Sequence, residues 1–281
     1  MLCCQPVVPS PYRLRGPLGI DSPDLGAWYA VALEKAISEV GSGRVAAFLA
    51  EPITGSSGGA IVPPDDYWPR IREICDRHGV LLIMDEVMTG FGRTGRKFGY
   101  QHWDITPDIL VSGKGLAGGY APLGGVFASG EIGEAIRDAG MNVMFHTFGA
   151  HPAACAAAAE VLTILVEEDL IARVERMGRK LKERLVARLG QHPHVAEVRG
   201  LGLLQAVEIV QDRESLTPYA ESDNIAGKVV AEALLEGVFF YGGGTGEFRD
   251  IVCMGPPFII DDAHIDTMVE TLALAIDRSC P

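Results

Sequence analysis

No apolar run in this chain of 281 residues approaches the roughly 18 residues that a membrane-spanning helix needs. The best candidate, Pro152 to Val166, is alanine-rich and broken by Glu160 and Thr163. No membrane partner is therefore expected. Basic residues are also scarce: 24 Lys and Arg stand against 37 Asp and Glu, a net charge of −13. That balance disfavours a sequence-independent nucleic-acid binder, which needs clustered cations. The six cysteines include no Cys-x-x-Cys pair, so they read as reduced thiols of a cytoplasmic protein and not as a disulfide framework. The seven histidines form no His-Glu-x-x-His or other compact ligand cluster, and no metal is expected. The first residues hold no basic region followed by an apolar core, so no secretory leader is expected.

Glycine is what the chain has in excess, 34 residues, about 12% against a usual ≈ 7%. Such an excess belongs at tight turns and at sites of close backbone approach. The first 27 residues are Pro-, Gly- and Ser-rich and read as an irregular lead-in. Apolar residues at 28, 31, 33, 36, 37 and 40 predict a helix over 27–40. A short strand is expected over 44–50, and a helix over 63–78 stopped by Gly79, with Tyr67, Ile71, Ile74 and Cys75 on one face. Val80 to Met84 is apolar throughout, as a strand covered on both faces would be. Further strands are expected at 109–111 and 125–129. This alternation predicts an α/β layer with a largely parallel sheet. From 152 a long helical stretch runs to about 189, with Leu170, Val174, Met177, Leu181 and Leu185 on one face. Strands at 195–198, 203–209 and 251–254 and helices near 225–233 and 265–276 complete a smaller α+β unit. The boundary is placed near 165.

In an open α/β sheet, reactive side chains collect at the carboxyl ends of buried strands. Asp85 ends the strand at 80–84, and Lys114 follows the strand at 109–111 between two glycines. A lysine can form a Schiff base with an aldehyde, and a carboxylate can pair with a protonated pyridine nitrogen. Taken alone, the same residues also fit a surface lysine and a helix cap.

Longer strings narrow this. Glu51-Pro-Ile-Thr-Gly-Ser-Ser-Gly58, Met84-Asp-Glu-Val-Met-Thr-Gly-Phe-Gly-Arg-Thr-Gly95, Pro107-Asp-Ile-Leu-Val-Ser-Gly-Lys-Gly-Leu116 and His146-Thr-Phe-Gly-Ala-His-Pro152 occur in one order. Together with Arg199-Gly-Leu-Gly202 and Gly255-Pro-Pro-Phe-Ile259, they resemble the class III (omega) aminotransferases. The resemblance implies an α/β fold type I (aspartate-aminotransferase-like) large domain, incomplete here over 1–165, and a small C-terminal α+β domain over 166–281. It implies pyridoxal 5'-phosphate (PLP) as cofactor, an amine donor, a keto-acid acceptor and a homodimer. By matching position, Lys114 would hold the cofactor as a Schiff base and Asp85 would pair with its pyridine nitrogen. Val87 would pack on the ring face, and Thr147 would reach the cofactor phosphate of the other subunit. Glu86 could tune the site, or serve as a cap or a loop ion pair.

Several positions depart from the family pattern. Members that handle 2-oxoglutarate often carry a glutamate and an arginine where this chain has Ser56 and Cys253. Losing the arginine removes a bidentate carboxylate clamp. This points to the branch that uses amines or omega-amino acids with pyruvate; Arg249 either serves a carboxylate instead or is a solvated loop arginine. Met88 stands where many members have glutamine. Glutamate-1-semialdehyde aminomutases share the Asp-Glu-Val-Met-Thr-Gly string, which keeps that reaction as an alternative. Family members are much longer, and the Gly-Ser phosphate turn and stacked aromatic of their N-terminal part have no counterpart here. Two expectations follow: a fragment or mis-started reading of an active, N-terminally longer transaminase, or a truncated paralogue without competent catalysis. For the chain as given, cofactor retention is expected to be weak or absent.

Overall fold

A computed structural model describes residues 5–41, 43–141, 146–246 and 249–280. They group into two compact units. The first comprises residues 1–52, 63–91 and 98–164, and the second comprises 53–62, 92–97 and 165–281. Two stretches that the sequence reading assigns to the first part thus group with the second.

The first unit holds α1 (Leu25–Val40), β1 (Ala47–Ala50), α2 (Tyr67–His78), β2 (Leu81–Asp85), β3 (Ile109–Ser112), β4 (Gly125–Ala128), α3 (Gly130–Asp138) and most of α4 (Pro152–Glu167). Its sheet runs β1-β2-β3-β4. The first two pairings are parallel and β3–β4 is antiparallel, so the sheet is mixed. Leu82 and Met84 point to the side where α1 and α2 lie, and join Tyr29, Leu33, Ile37, Trp68 and Ile71 in one core.

α1 buries Leu33 and Ile37 of its predicted stripe but turns the rest of that stripe outward or to the edge. Leu25, Tyr29, Leu33 and Ile37, spaced four apart, are buried, while Trp28 and Val31 are exposed. The burial of this face against α2 and the Tyr29 hydroxyl, which donates to the Tyr12 carbonyl at 2.9 Å, set the helix rotation. The predicted face of α2 is buried as expected, and Gly79 ends that helix at φ 64. β2 differs: Leu81 is exposed and Ile83 half-buried, so the strand is covered on one face and not on two.

The long helix expected over 152–189 is two helices, α4 and α5 (Leu170–Leu189). The chain breaks at Asp169, whose φ of 48 cannot continue a right-handed helix.

The second unit is an antiparallel sheet ordered β5-β6-β8-β7: β5 (Val195–Leu201), β6 (Leu204–Ile209), β8 (Ile251–Met254) and β7 (Tyr241–Gly243). One face carries Val207, Ile209, Val252 and Met254 into a core shared with α5, α6 (Ile225–Leu235) and α7 (Asp262–Ser279). Among the described residues no helix is long and apolar enough to cross a membrane.

Candidate active site

The strand register places the first unit's reactive ends together. Parallel pairing sets Asp85 opposite Val111, three residues before Lys114. Beyond β3, Gly113 is extended and Lys114 takes φ 36, a left-handed conformation that costs a non-glycine residue roughly 1–3 kcal/mol. Strain of this order persists only where the surroundings fix it, and it concentrates at functional sites. A 3₁₀ turn over Lys114–Ala117 follows at once. The Lys114 side chain is exposed, and its Nζ donates to Met88 Sδ at 2.8 Å.

Asp85 is half-buried at the end of β2, and its Oδ1 accepts the Val87 amide N–H at 3.0 Å. Among the described residues no donor reaches Oδ2. Val87 is half-buried, and its two methyl carbons lie 3.7 Å from where a Cβ on Gly113 would stand. The first unit therefore joins an amine, a carboxylate with a spare oxygen and an apolar side chain at the ends of β2 and β3. That donor set fits the aldehyde, ring nitrogen and ring face of PLP. Thr147 lies in an exposed turn over 147–150.

Glu86 is fully buried. Its Oε2 accepts the Thr89 hydroxyl at 2.5 Å and the Gly99 amide at 2.8 Å, and its Oε1 accepts the Tyr100 amide at 2.8 Å. Burial pushes this carboxyl up, and the three hydrogen bonds pull against that. Of its expected roles, capping is realised, because Gly99 and Tyr100 open a 3₁₀ turn.

In the second unit, residues 53–62 lie on the sheet face opposite the helices. Arg199 Nε donates to the Gly59 carbonyl at 2.6 Å, and its NH1 donates to Glu208 at 2.6 Å and Glu197 at 3.1 Å. Ser56 and Cys253 come together here too. The Gly244 amide donates to the Ser56 carbonyl at 2.8 Å. A Cβ on Gly243 would stand 2.5 Å from Cys253 Sγ and 2.7 Å from the Ser56 oxygen. Cys253 is buried, which pushes its thiol up to about 11, so it stays protonated. Arg249 donates to the carbonyls of Gly246 at 2.8 Å and Tyr219 at 3.3 Å and so ties its own loop. Segment 92–97 packs in this unit through Arg93, which donates to the Pro256 carbonyl at 2.6 Å and lies 4.7 Å above the Phe258 ring.

Sequence reading missed the anchoring roles of Arg199, Glu208 and Arg93. The one available signal was a glutamate inside the apolar run 203–209. Its partner Arg199 is nine residues away, but the Gly59 carbonyl that Arg199 also holds is 140 residues away.

A lysine and an aspartate thus lie at the ends of adjacent parallel strands, the end of an open α/β sheet where ligands bind. Comparison with known proteins shows the family. The model of the family "Aminotransferase class-III" matches residues 4–276. The uncharacterized aminotransferase YodT of Bacillus subtilis is 41% identical over 256 residues, covering 88% of this chain and 57% of that protein. The putrescine–pyruvate aminotransferase of Pseudomonas aeruginosa is 39% identical, covering 92% of this chain and 55% of that protein. Among solved structures, the (S)-enantioselective omega-transaminase of Thermomicrobium roseum matches with a TM-score of 0.90 at 38% identity, over 97% of this chain and 59% of that one. The chain belongs to the class-III aminotransferases, with the fold type I architecture, and spans little more than half the length of these relatives.

Proposed function

We propose that this chain carries the lysine-bearing floor of a PLP-dependent transaminase that moves an amino group from an amine or omega-amino acid to pyruvate. The observation that supports it most is the β2–β3 pairing, which sets Asp85 against Val111 while Lys114 leaves β3 in a left-handed turn. PLP bound there would supply an electron sink for the charge left when an α-proton departs. Lys114 Nζ would hold the cofactor and serve as the base that takes and returns that proton. Asp85 would pair with the ring nitrogen, and Val87 would pack on the ring face.

The exposure of Thr147 supports its reaching the cofactor phosphate of a second copy in a homodimer. Arg249 is assigned to a substrate carboxylate through the donors not engaged with Gly246 and Tyr219. Residues 1–165 are assigned to the large domain and 166–281 to the small one, with 53–62 and 92–97 packed on the latter. A cytoplasmic setting accords with the free thiols of Cys75 and Cys253.

Pyruvate is favoured as acceptor because Ser56 and Cys253 offer no bidentate clamp for a second carboxylate. Relatives named putrescine–pyruvate and taurine–pyruvate aminotransferases support this. The test is amino-group transfer from a terminal diamine or an omega-amino acid with PLP in excess. Pyruvate is expected to outperform 2-oxoglutarate, and the reverse order contradicts the acceptor assignment. A chain without activity of its own is the second reading, favoured by its 57% coverage of YodT. No turnover together with no PLP capture at Lys114 selects it.

A further inference from the structure

Glu86 is a fully buried carboxylate next to Asp85, and the proposed chemistry does not use it. Its backbone amide donates to the Val111 carbonyl at 2.8 Å, and its own carbonyl accepts the Gly90 amide at 2.9 Å. Its carboxylate gathers Thr89, Gly99 and Tyr100, so residues thirteen and fourteen positions downstream are fixed to the end of β2. The glycines around it leave it room. A Cβ on Gly90 would stand 2.7 Å from the Glu86 carbonyl oxygen. One on Gly99 would stand 2.9 Å from Thr89 Cβ and 3.2 Å from Glu86 Oε2. Asp85 precedes Glu86, and Val87 and Met88, the Lys114 contact, follow it. A segment pinned at one residue by five hydrogen bonds holds its immediate neighbours in place.

We propose that Glu86 is a positioning residue of this site: its buried carboxylate fixes the turn that presents Asp85, Val87 and Met88 to PLP. The inference rests on the reading of Lys114 and Asp85 given above. An amide in its place cannot serve every donor, because one of the two backbone N–H groups would face an NH₂. Thr89→Val removes one donor at nearly constant volume and is the milder variant.

The experiment titrates the wild-type chain, Glu86→Gln and Thr89→Val with PLP. Borohydride traps the lysine adducts, and peptide mass spectrometry counts the label at Lys114. Visible circular dichroism per bound PLP reports whether the ring is held in one orientation. Far-UV circular dichroism and Tm report folding separately. Glu86→Gln is expected to raise the half-saturating PLP concentration about tenfold, the equivalent of roughly 1.4 kcal/mol. It is also expected to lower the visible dichroism per bound PLP with the far-UV signal kept, and Thr89→Val to change both in the same direction by less. Unchanged half-saturation and dichroism in both variants, with only Tm lowered, overturns the proposal in favour of a purely structural cap. If Glu86→Gln does not fold, Thr89→Val decides by the same two readouts. Absence of Lys114 labelling in the wild-type chain overturns the site reading and this inference together. Equal labelling and dichroism in wild type and variants overturn this inference alone.

Discussion

Arg199 and Glu208 put opposite charges 2.6 Å apart, with both side chains almost fully buried. Burial pushes the Glu208 carboxyl up and the Arg199 guanidinium down. The close pairing, the Gly58 and Gly59 carbonyls and Glu197 offset that cost. Removing one partner leaves the other charge buried. Glu208→Ala is therefore expected to destabilise the fold by about 3 kcal/mol, the lower part of the usual range, because Glu197 remains. Replacing both residues, as in Arg199→Met with Glu208→Leu, should recover much of that loss. Urea unfolding of the three proteins checks both expectations; an equal loss in the single and double variants would contradict the account. The double variant should still free segment 53–62 for proteolysis, because the donors to Gly58 and Gly59 are gone. At Lys114, substitution by Ala is expected to abolish the visible absorbance gained on adding PLP.

Between α5 and α7, Asp262 accepts Lys180 Nζ at 2.9 Å and Arg184 NH2 at 2.7 Å. These cations hold its carboxyl below the usual carboxylate range, Lys180 most strongly. A depressed folded-state pKa adds stability that is present above the unfolded value near 3.8 and is lost as pH falls through the folded one. Acid titration below that value should thus loosen α7 from α5, and Asp262→Asn should flatten this part of the pH–stability curve. An unchanged acid limb in the variant would count against the assignment. At this scale much of the fold is legible in local pattern. The buried face of α2, the Gly79 stop, the residues of β8 and the stripe on α5 appear where apolar spacing puts them. The misses have separate physical causes. On α1, Leu33 and Ile37 are buried as expected, but packing on α2 leaves Trp28 and Val31 outside, which spacing cannot report. Asp169 breaks one long apolar stripe without any glycine or proline to mark it. The grouping of 53–62 and 92–97 with the second unit comes from Arg199 and Arg93, which bond across more than a hundred residues. The place of Asp85 at the end of β2 and of Lys114 just beyond β3 was legible, because an abrupt change from apolar to reactive residues marks those strand ends, whereas the roles came from the resemblance of the longer strings.

Among the described residues, one sheet face of the first unit is only partly covered. Register puts Leu49, Leu81, Ile83, Asp85, Ile109, Val111 and Val126 on the side away from α1 and α2. Leu49 is 59% exposed and Val126 is 71% exposed. Parallel sheets are ordinarily covered on both faces, and a bare apolar face of this kind binds apolar probes. The chain should enhance anilinonaphthalene-sulfonate fluorescence under native conditions. Leu49→Glu with Val126→Glu should reduce that signal without lowering Tm. Fluorescence unchanged by the pair would show that the probe sits elsewhere.

If the floor at the ends of β2 and β3 is the cofactor site, this class-III aminotransferase chain directs an aldehyde to one lysine. The measurement is borohydride trapping of PLP on the 281-residue chain, followed by peptide mapping. The account predicts labelling at Lys114 at PLP concentrations that leave Lys35, Lys97, Lys180, Lys182 and Lys228 largely unmodified, with the preference lost in Asp85→Ala. Equal labelling of all the lysines, or a preference for Lys114 that survives Asp85→Ala unchanged, would contradict it.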